Sequence, residues 1–272
     1  MVTLGAASDP GLAFITPLIA AVAALLAAGC AGTPGESLVW SAELARSLYR
    51  ETSEVVEVAS FSKSSPGAPL RPWEPYIVLR GNVPTEYQLV QVDGTVALEA
   101  DAEEGGSGLY RKIKIPPDRY PILEWRWRVP RSETGPAFSV TSRDSPVVRL
   151  SLAFDGDPTK LDFDDRTKLR LAKLLTAQGL PYASLMYVWM YRVPVGSVIR
   201  NPFTDRVRMI VVENGDRRLG EWVSVRRNVP EDYRRAFGEE PGDIVAVGVM
   251  TDVGDEGSHR RAFYGDITFR LR

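Results

Sequence analysis

The stretch LEWRWRV (123–129) alternates apolar and charged side chains without a break. Successive side chains of a β-strand point to opposite faces, so this pattern predicts a strand with one buried apolar face and one polar face. We expect Trp125 and Trp127 to lie in a core with the aliphatic members of the stretch. A role as platforms that stack on sugars is the alternative for these tryptophans. Glu124 and Arg126 share the opposite, outer face.

Short β-branched and aromatic runs of the same kind recur along the chain between Gly, Pro and Asp residues. The dipeptide Asp93-Gly94 between two of these runs is typical of a hairpin turn. The runs predict twelve strands, at about 55–61, 76–80, 86–92, 95–100, 108–115, 121–129, 146–154, 185–192, 206–213, 221–227, 243–251 and 262–271.

Two helices interrupt the predicted strands. Leucines at helical spacing predict an amphipathic helix over about 164–178, and Gly179 is suited to its C-terminal cap. Pro230 begins a second, short helix that Gly238 ends. Many strands with few helices indicate a mainly β fold. We predict an antiparallel β-sandwich, jelly-roll-like, with the one amphipathic helix and the one short helix inserted.

The apolar run LIAAVAALLAAGC (18–30) ends in small residues before Cys30, the only cysteine of the chain. It resembles a bacterial lipoprotein signal peptide with its lipobox, which implies cleavage before Cys30 and acylation of that residue. The absence of Lys and Arg from residues 1–29 departs from the usual basic start of a signal. A signal anchor, or an apolar helix with an ordinary buried cysteine, are the alternatives.

This resemblance divides the chain into three parts: residues 1–29 as a signal peptide, 30–54 as a lipidated tether with a short helix, and 55–272 as a single β-sandwich domain. Ala31, rather than Asp, follows the cysteine, and by analogy with Gram-negative lipoproteins this favours the outer membrane. We therefore expect a lipid-anchored protein of the cell envelope, at the outer membrane or facing the periplasm.

Composition excludes several kinds of chemistry. A net charge of −2 gives no electrostatic case for binding nucleic acid. The one histidine, His259, lies in a polar loop, and this gives little support to a Ser-His-Asp or Cys-His mechanism. There is no His/Cys cluster for zinc. We expect no cofactor, with calcium at Asp155 and Asp157 as the alternative to a plain turn there.

Several segments, taken together and in this order, resemble an uncharacterised bacterial family of exported proteins, known as domain of unknown function 3047. The resemblance extends from about Phe61 to the C-terminus. It implies one exported module and brings no established activity, so it assigns no role to any residue. The segments are GLYR (108–111), LEWRWRV (123–129), DSPVVRL (144–150), YVW (187–189), DYRRAFGEEPG (232–242), MTD (250–252) and YGDI (264–267).

Alternation in the other strands adds further polar side chains and a row of aromatic ones. Arginine beside aromatic side chains suits sugars or carboxylates, through forked hydrogen bonds and stacking. The absence of Lys from this set favours a geometric role, because Arg is preferred where geometry matters. A solvated face held by cross-strand ion pairs is the alternative. The predicted ligand-binding residues are Glu124, Arg126, Arg149, Tyr187, Trp189, Asp252, Tyr264 and Asp266.

The leading hypothesis from the sequence is a monomeric lipoprotein whose β-sandwich binds a carbohydrate or another small polar ligand without catalysis. One alternative is a glycan hydrolase that uses Asp252 and Asp266, which requires their carboxyl groups to lie about 5–9 Å apart. The other is a structural interaction protein of the envelope with no small ligand.

Overall fold

Two β-sheets lie face to face across a shared apolar core. The structure, a computed structural model, describes residues 54–76, 83–103, 105–131, 145–168, 181–202, 204–253 and 259–271. Residues Glu54–Arg272 form one compact unit. Residues 1–29, Cys30 and most of the tether lie outside the described residues. No helix in the described part of the chain is both long and apolar enough to cross a bilayer.

The first sheet, sheet A, has six described strands: β1 (Val55–Ala59), β3 (Glu86–Val92), β4 (Thr95–Ala102), β6 (Ile122–Arg128), β11 (Val223–Asn228) and β13 (Arg260–Arg270). Their spatial order is β11-β6-β13-β4-β3, and β1 also pairs with β13. All of these pairs are antiparallel.

The second sheet, sheet B, has seven described strands: β2 (Glu74–Tyr76), β5 (Gly106–Ile115), β7 (Val148–Phe154), β8 (Ala183–Met190), β9 (Val198–Arg200), β10 (Val207–Asn214) and β12 (Ile244–Asp252). Their order is β2-β5-β12-β7-β8-β10-β9. The β8–β10 pair is parallel and the others are antiparallel.

The predicted β-sandwich class is therefore confirmed. Asp93 and Gly94, with φ of 51° and 79°, form the tight turn between β3 and β4 that their sequence predicts. Sequence reasoning missed β9, because three residues carry too little alternation to be recognised. It also missed the parallel β8–β10 pair, because the pattern within a strand does not reveal the direction of its neighbour.

One complete α-helix, α1 (Val229–Phe237), appears among the described residues. The Asn228 side chain accepts a hydrogen bond from the Glu231 amide at 3.4 Å, and Gly238 ends the helix with φ of 74°. This confirms the short helix predicted from Pro230 onward. Residues 163–168 are also helical, and the remainder of the predicted helix 164–178 lies outside the described residues.

The core between the sheets is built from the alternating apolar faces. Trp125 and Trp127 are 3% and 0% exposed, and their rings meet edge to face with centroids 5.3 Å apart. Trp125 also contacts Tyr187 of sheet B, at 5.1 Å between centroids. Each fully buried large side chain contributes about 1.5–3 kcal/mol. The core prediction for the 123–129 stretch is confirmed.

Two β-bulges shift the alternation from the predicted faces. In β13 the register slips between Tyr264 and Ile267, so Tyr264 points into the core although the sequence pattern placed it outside. Phe263, which strict alternation with Ile267 and Phe269 would place inside, takes the outer face instead and is only partly buried. In β12 a second slip follows Ile244, which is fully buried, and Val245 turns outward.

Candidate binding groove

A groove of about 500 Å³ lies along the face of sheet B that points away from the core. Cross-strand register brings small side chains of four adjacent strands together there. On a sheet face, a patch of small residues among larger ones forms a depression. The floor of the groove consists of Gly108, Ser151, Ala153, Ser184, Ala246 and Gly248.

The depth of this floor depends on two glycines. A Cβ atom at Gly248 would lie 2.7 Å from the Ser151 hydroxyl and 3.1 Å from the Leu109 carbonyl oxygen. A Cβ atom at Gly108 would lie 2.9 Å from the Val249 carbonyl oxygen. A side chain at either position would therefore clash with its neighbours and fill part of the floor.

Aromatic side chains line one side of the groove. Tyr76 of β2 and Tyr110 of β5 meet edge to face, with centroids 6.4 Å apart. The Tyr110 hydroxyl donates to the Glu74 carboxylate at 2.6 Å, and Lys112 donates to the same group at 3.2 Å. These hydrogen bonds lower the pKa of Glu74 and raise the pKa of Lys112, so the pair is charged at neutral pH.

Arg149 lines the groove near its opposite end. Its Nη1 and Nη2 groups both donate to the Asp252 carboxylate, the second at 3.3 Å to Oδ1. The two side chains are 14% and 15% exposed. A forked contact of this kind fixes the plane of the guanidinium. The N–H groups that Asp252 does not use remain as donors for a ligand.

Arg149 and Asp252 are thus the two predicted site residues that the structure brings together at this groove. Three others lie in the core: Tyr187, Trp189 and Tyr264 are 0–1% exposed. The prediction that they face a ligand is corrected, because side chains between the sheets cannot reach either outer surface.

Each of these buried polar atoms has a partner inside the protein. The Tyr264 hydroxyl donates to the Met250 carbonyl oxygen at 2.8 Å, and the Trp189 indole N–H donates to the Gly215 carbonyl oxygen at 2.9 Å. The Tyr187 hydroxyl donates to Asp232 at 3.0 Å. The polar atoms of these three side chains are thus satisfied inside the protein.

The remaining predicted residues lie on the outer face of sheet A, away from the groove. Glu124 binds Arg270 at 2.5 Å and also Arg226. The Arg126 guanidinium lies 4.6 Å from the centre of the Trp222 ring. These contacts match the cross-strand network of the alternative interpretation. Glu124, Arg126 and Asp266 also line one open depression of about 310 Å³ on this face, so their ligand-binding role stays a prediction.

Asp266 accepts hydrogen bonds from the Ser62 amide at 2.9 Å and from its hydroxyl at 2.5 Å. Asp252 and Asp266 therefore belong to different sheets and have different partners. The structure does not support these two carboxylates as a hydrolytic pair, because Asp266 is held by Ser62 on the side of sheet A whereas Asp252 is held by Arg149 on sheet B.

The possible calcium ligands have local roles. The Asp157 carboxylate accepts from the Thr159 amide at 2.9 Å and from its hydroxyl at 2.7 Å, which caps a short 3-10 turn. Within the described ranges no three His, Cys, Asp or Glu side chains are grouped so as to hold a metal. The absence of a cofactor stays a prediction, with calcium at Asp155 and Asp157 as its alternative.

Sequence reasoning missed most of the groove lining, including Tyr76, Tyr110, Lys112 and Met186. One signal was available in β5, where Gly108, Tyr110 and Lys112 share a face by alternation. That face could be combined with Gly248 only once the β5–β12 register was known.

A model of the family described as "Protein of unknown function (DUF3047)" matches residues 71–268. The chain belongs to this family. The matched region runs from before β2 into β13 and includes every groove residue, which confirms the family resemblance of the sequence segments. The description of the DUF3047 family names no activity. No curated protein sequence matches the chain.

Solved structures with a similar arrangement include the K2 cleaved adhesin domain of Lys-gingipain, at 9% identity, TM-score 0.37, and 80% and 99% coverage of this chain and that one. The xyloglucanase domain of NopAA, a type three effector from Sinorhizobium fredii, has 10% identity, TM-score 0.37, and 80% and 98% coverage. The carbohydrate-binding module TmCBM61 has 11% identity, TM-score 0.31, and 74% and 89% coverage. These values are too low to transfer a function to this chain.

Proposed function

We propose that the protein is a non-catalytic binding module that takes a carbohydrate or another small polar ligand in the groove on sheet B. The observation that supports this most directly is the groove itself. Small residues form its floor, tyrosines line one side, and an arginine held by a carboxylate lines the other.

The groove has the size and the chemistry of a ligand site. A volume of about 500 Å³ falls within the range of about 300–1,000 Å³ that is typical of small-molecule pockets. Sugars present both apolar C–H faces and hydroxyl groups. The rings of Tyr76 and Tyr110 can stack on the apolar C–H faces. Arg149 and the hydroxyls of Ser151 and Ser184 can hydrogen-bond to the sugar hydroxyls.

Among the described residues, the charged side chains that line the groove are Lys112 and Arg149, and both are cations. Hydrolysis of a glycosidic bond generally uses two carboxyl groups, one on each side of the bond. The lining therefore favours binding over hydrolysis.

Filling the groove tests the proposal. We expect Ser151→Leu to abolish binding, because the added side chain occupies the floor between Gly248 and Met186. Gln91→Leu is the matched control, since Gln91 is an exposed strand residue of β3 in sheet A and lies outside the groove. A glycan array probed with the purified full chain and both variants gives the measurement. Equal binding by all three proteins contradicts the groove as the site.

We also propose that Cys30 is acylated and anchors the protein to a membrane of the cell envelope. The sequence LIAAVAALLAAGC (18–30) supports this. We expect Cys30→Ser to prevent labelling by a fatty-acid probe and to release the protein from the membrane fraction. Retention of the unlabelled variant in that fraction favours an anchor helix instead.

A further inference from the structure

We propose that the ligand of the groove is an acidic oligosaccharide, a sugar chain that carries carboxylate groups. This inference rests on the proposed function and specifies its ligand class. It starts from two ion pairs at the groove, Lys112–Glu74 and Arg149–Asp252. In each pair the cation lines the groove, and the carboxylate lies outside its lining.

The arrangement at Lys112 directs positive charge toward the groove. Glu74 is on the edge strand β2, opposite Tyr110 in the β2–β5 register. The Lys112 ammonium contacts Glu74 at 3.2 Å and lies 5.6 Å from the centre of the Tyr110 ring. Lys112 is 69% exposed, so its ammonium has N–H donors free to reach a ligand anion.

The arrangement at Arg149 is more rigid. The contact with Asp252 uses the two terminal nitrogens, and the pair is largely buried. Arginine has five N–H donors, and the contact with Asp252 uses two of them, so the others remain for a ligand carboxylate. A carboxylate of the ligand at this position receives charge-assisted hydrogen bonds in a partly desolvated site, where they are strongest.

The spacing of the two cations favours an oligomer over a single sugar. Lys112 lies opposite Ala246 and Arg149 lies opposite Met250, on the two strands that flank β12. Strand and residue spacings place their Cα atoms about 17 Å apart across the sheet. Between them lies the small-residue floor around Gly248. A chain with carboxylates on several units can therefore contact both cations.

Calorimetric titration of the purified full chain tests this inference. The probes are tetragalacturonate and tetramannuronate, each compared with its carboxyl-reduced, neutral counterpart and with the acidic monomer. We expect at least one acidic tetramer to bind about tenfold more tightly than its reduced form. We also expect this advantage to shrink at high salt, because screening weakens exposed charge pairs.

Two variants test whether binding depends on a charge at the groove or on the surface charge of the protein in general. We expect Lys112→Gln to weaken binding of the acidic tetramer by about three- to fivefold. Lys114→Gln, on the same strand and 72% exposed but outside the groove, should leave it unchanged. Equal effects of both substitutions overturn the inference.

The outcomes also distinguish this inference from the function on which it rests. If the neutral tetramers bind as tightly as the acidic ones and Ser151→Leu abolishes both, the acidic class is wrong and the groove stands. If none of the probes binds, the inference falls. If in addition no glycan on the array binds, the proposed function falls with it.

Discussion

Asp232 of α1 is buried at 4% exposure and has three partners. Arg227 donates to both of its oxygens, at 2.7 and 2.5 Å, and Arg235 donates at 3.3 Å. Tyr187, in the core of sheet B, donates at 3.0 Å. A buried carboxylate is tolerated only when its lone pairs are satisfied in this way. Asp232 therefore ties α1 to strands of both sheets.

We expect Asp232→Ala to lower the free energy of unfolding by about 2–4 kcal/mol, because the Tyr187 hydroxyl then loses its acceptor and Arg227 its counter-charge. Glu240→Ala is the control: this carboxylate is 74% exposed and pairs with Arg234 only at the surface. Its cost should stay below about 0.5 kcal/mol. Urea unfolding of the two variants measures both values, and similar costs contradict the role assigned to Asp232.

The bulge in β13 is the element that decides which residues face the core and which face out. It lies at Gly265-Asp266 and reverses the alternation, so that Tyr264 and Ile267 both point inward. The bulge also brings the chain close to Arg126 of β6. A Cβ atom at Gly265 would lie 2.5 Å from Arg126 Cγ and 2.7 Å from its Nε. The Arg126 side chain therefore lies directly over Gly265.

We expect Gly265→Ala to destabilise the fold by about 1–2 kcal/mol, since the new methyl group displaces the base of the Arg126 side chain. In an Arg126→Ala background the same substitution should cost little, because the clashing Cγ and Nε atoms are absent. The measurement is a double-mutant cycle by urea unfolding, with an interaction energy of about 1 kcal/mol expected. Strictly additive effects contradict the packing of Arg126 across the bulge.

At the scale of the whole molecule, a few ionisable side chains that are partly or fully buried set the pH range in which the fold is stable. Burial raises the pKa of Glu239, but the hydrogen bond and the charge of Arg206 outweigh it, and the pKa falls below its ordinary value of 4.5. Burial raises the pKa of Tyr187 and Tyr264 above their ordinary value of 10.0. The folded state therefore favours ionised Glu239 and neutral tyrosines.

The lowered pKa of Glu239 sets an acid limit to the pH range of stability, and the raised pKa values of the tyrosines set an alkaline limit. The contribution of Glu239 is present above about pH 4.5 and is lost as the pH falls through its folded pKa, because the unfolded chain binds the proton first. The contribution of the tyrosines is present below about pH 10 and is lost at higher pH, because the unfolded chain ionises first. We expect a plateau in the urea midpoint between these limits. Glu239→Gln should make the acid limb shallower, and an unchanged acid limb contradicts the Arg206–Glu239 assignment.

Much of the sandwich could be predicted from residues within single strands. Trp125 and Trp127 alternate with charged side chains, and β-strand geometry places such alternating side chains on one buried and one polar face. The Asp93-Gly94 turn and the cap at Gly238 follow from residues that tolerate positive φ. These features depend on residues that are close in sequence, where side-chain chemistry alone decides the local structure.

The groove was predicted only in part. The sequence pattern pointed to Arg149 and Asp252 on polar faces, but it combined them with Glu124, Arg126 and Asp266 of the other sheet. Which strands share a sheet depends on pairing between distant segments. The bulge at Gly265 had a sequence signal, because a glycine inside a strand often marks one, but its effect on Tyr264 depends on the register with β6.

The sequence by itself determined most of the strands, the apolar faces that form the core and the family. Only the tertiary structure decided that Tyr76, Tyr110, Lys112 and Arg149 line one groove while Tyr187, Trp189 and Tyr264 are buried. The physical reason is the distance along the chain over which each kind of interaction acts. Alternation and turn chemistry act over a few residues, whereas strand order and register are set by contacts between segments far apart in the chain.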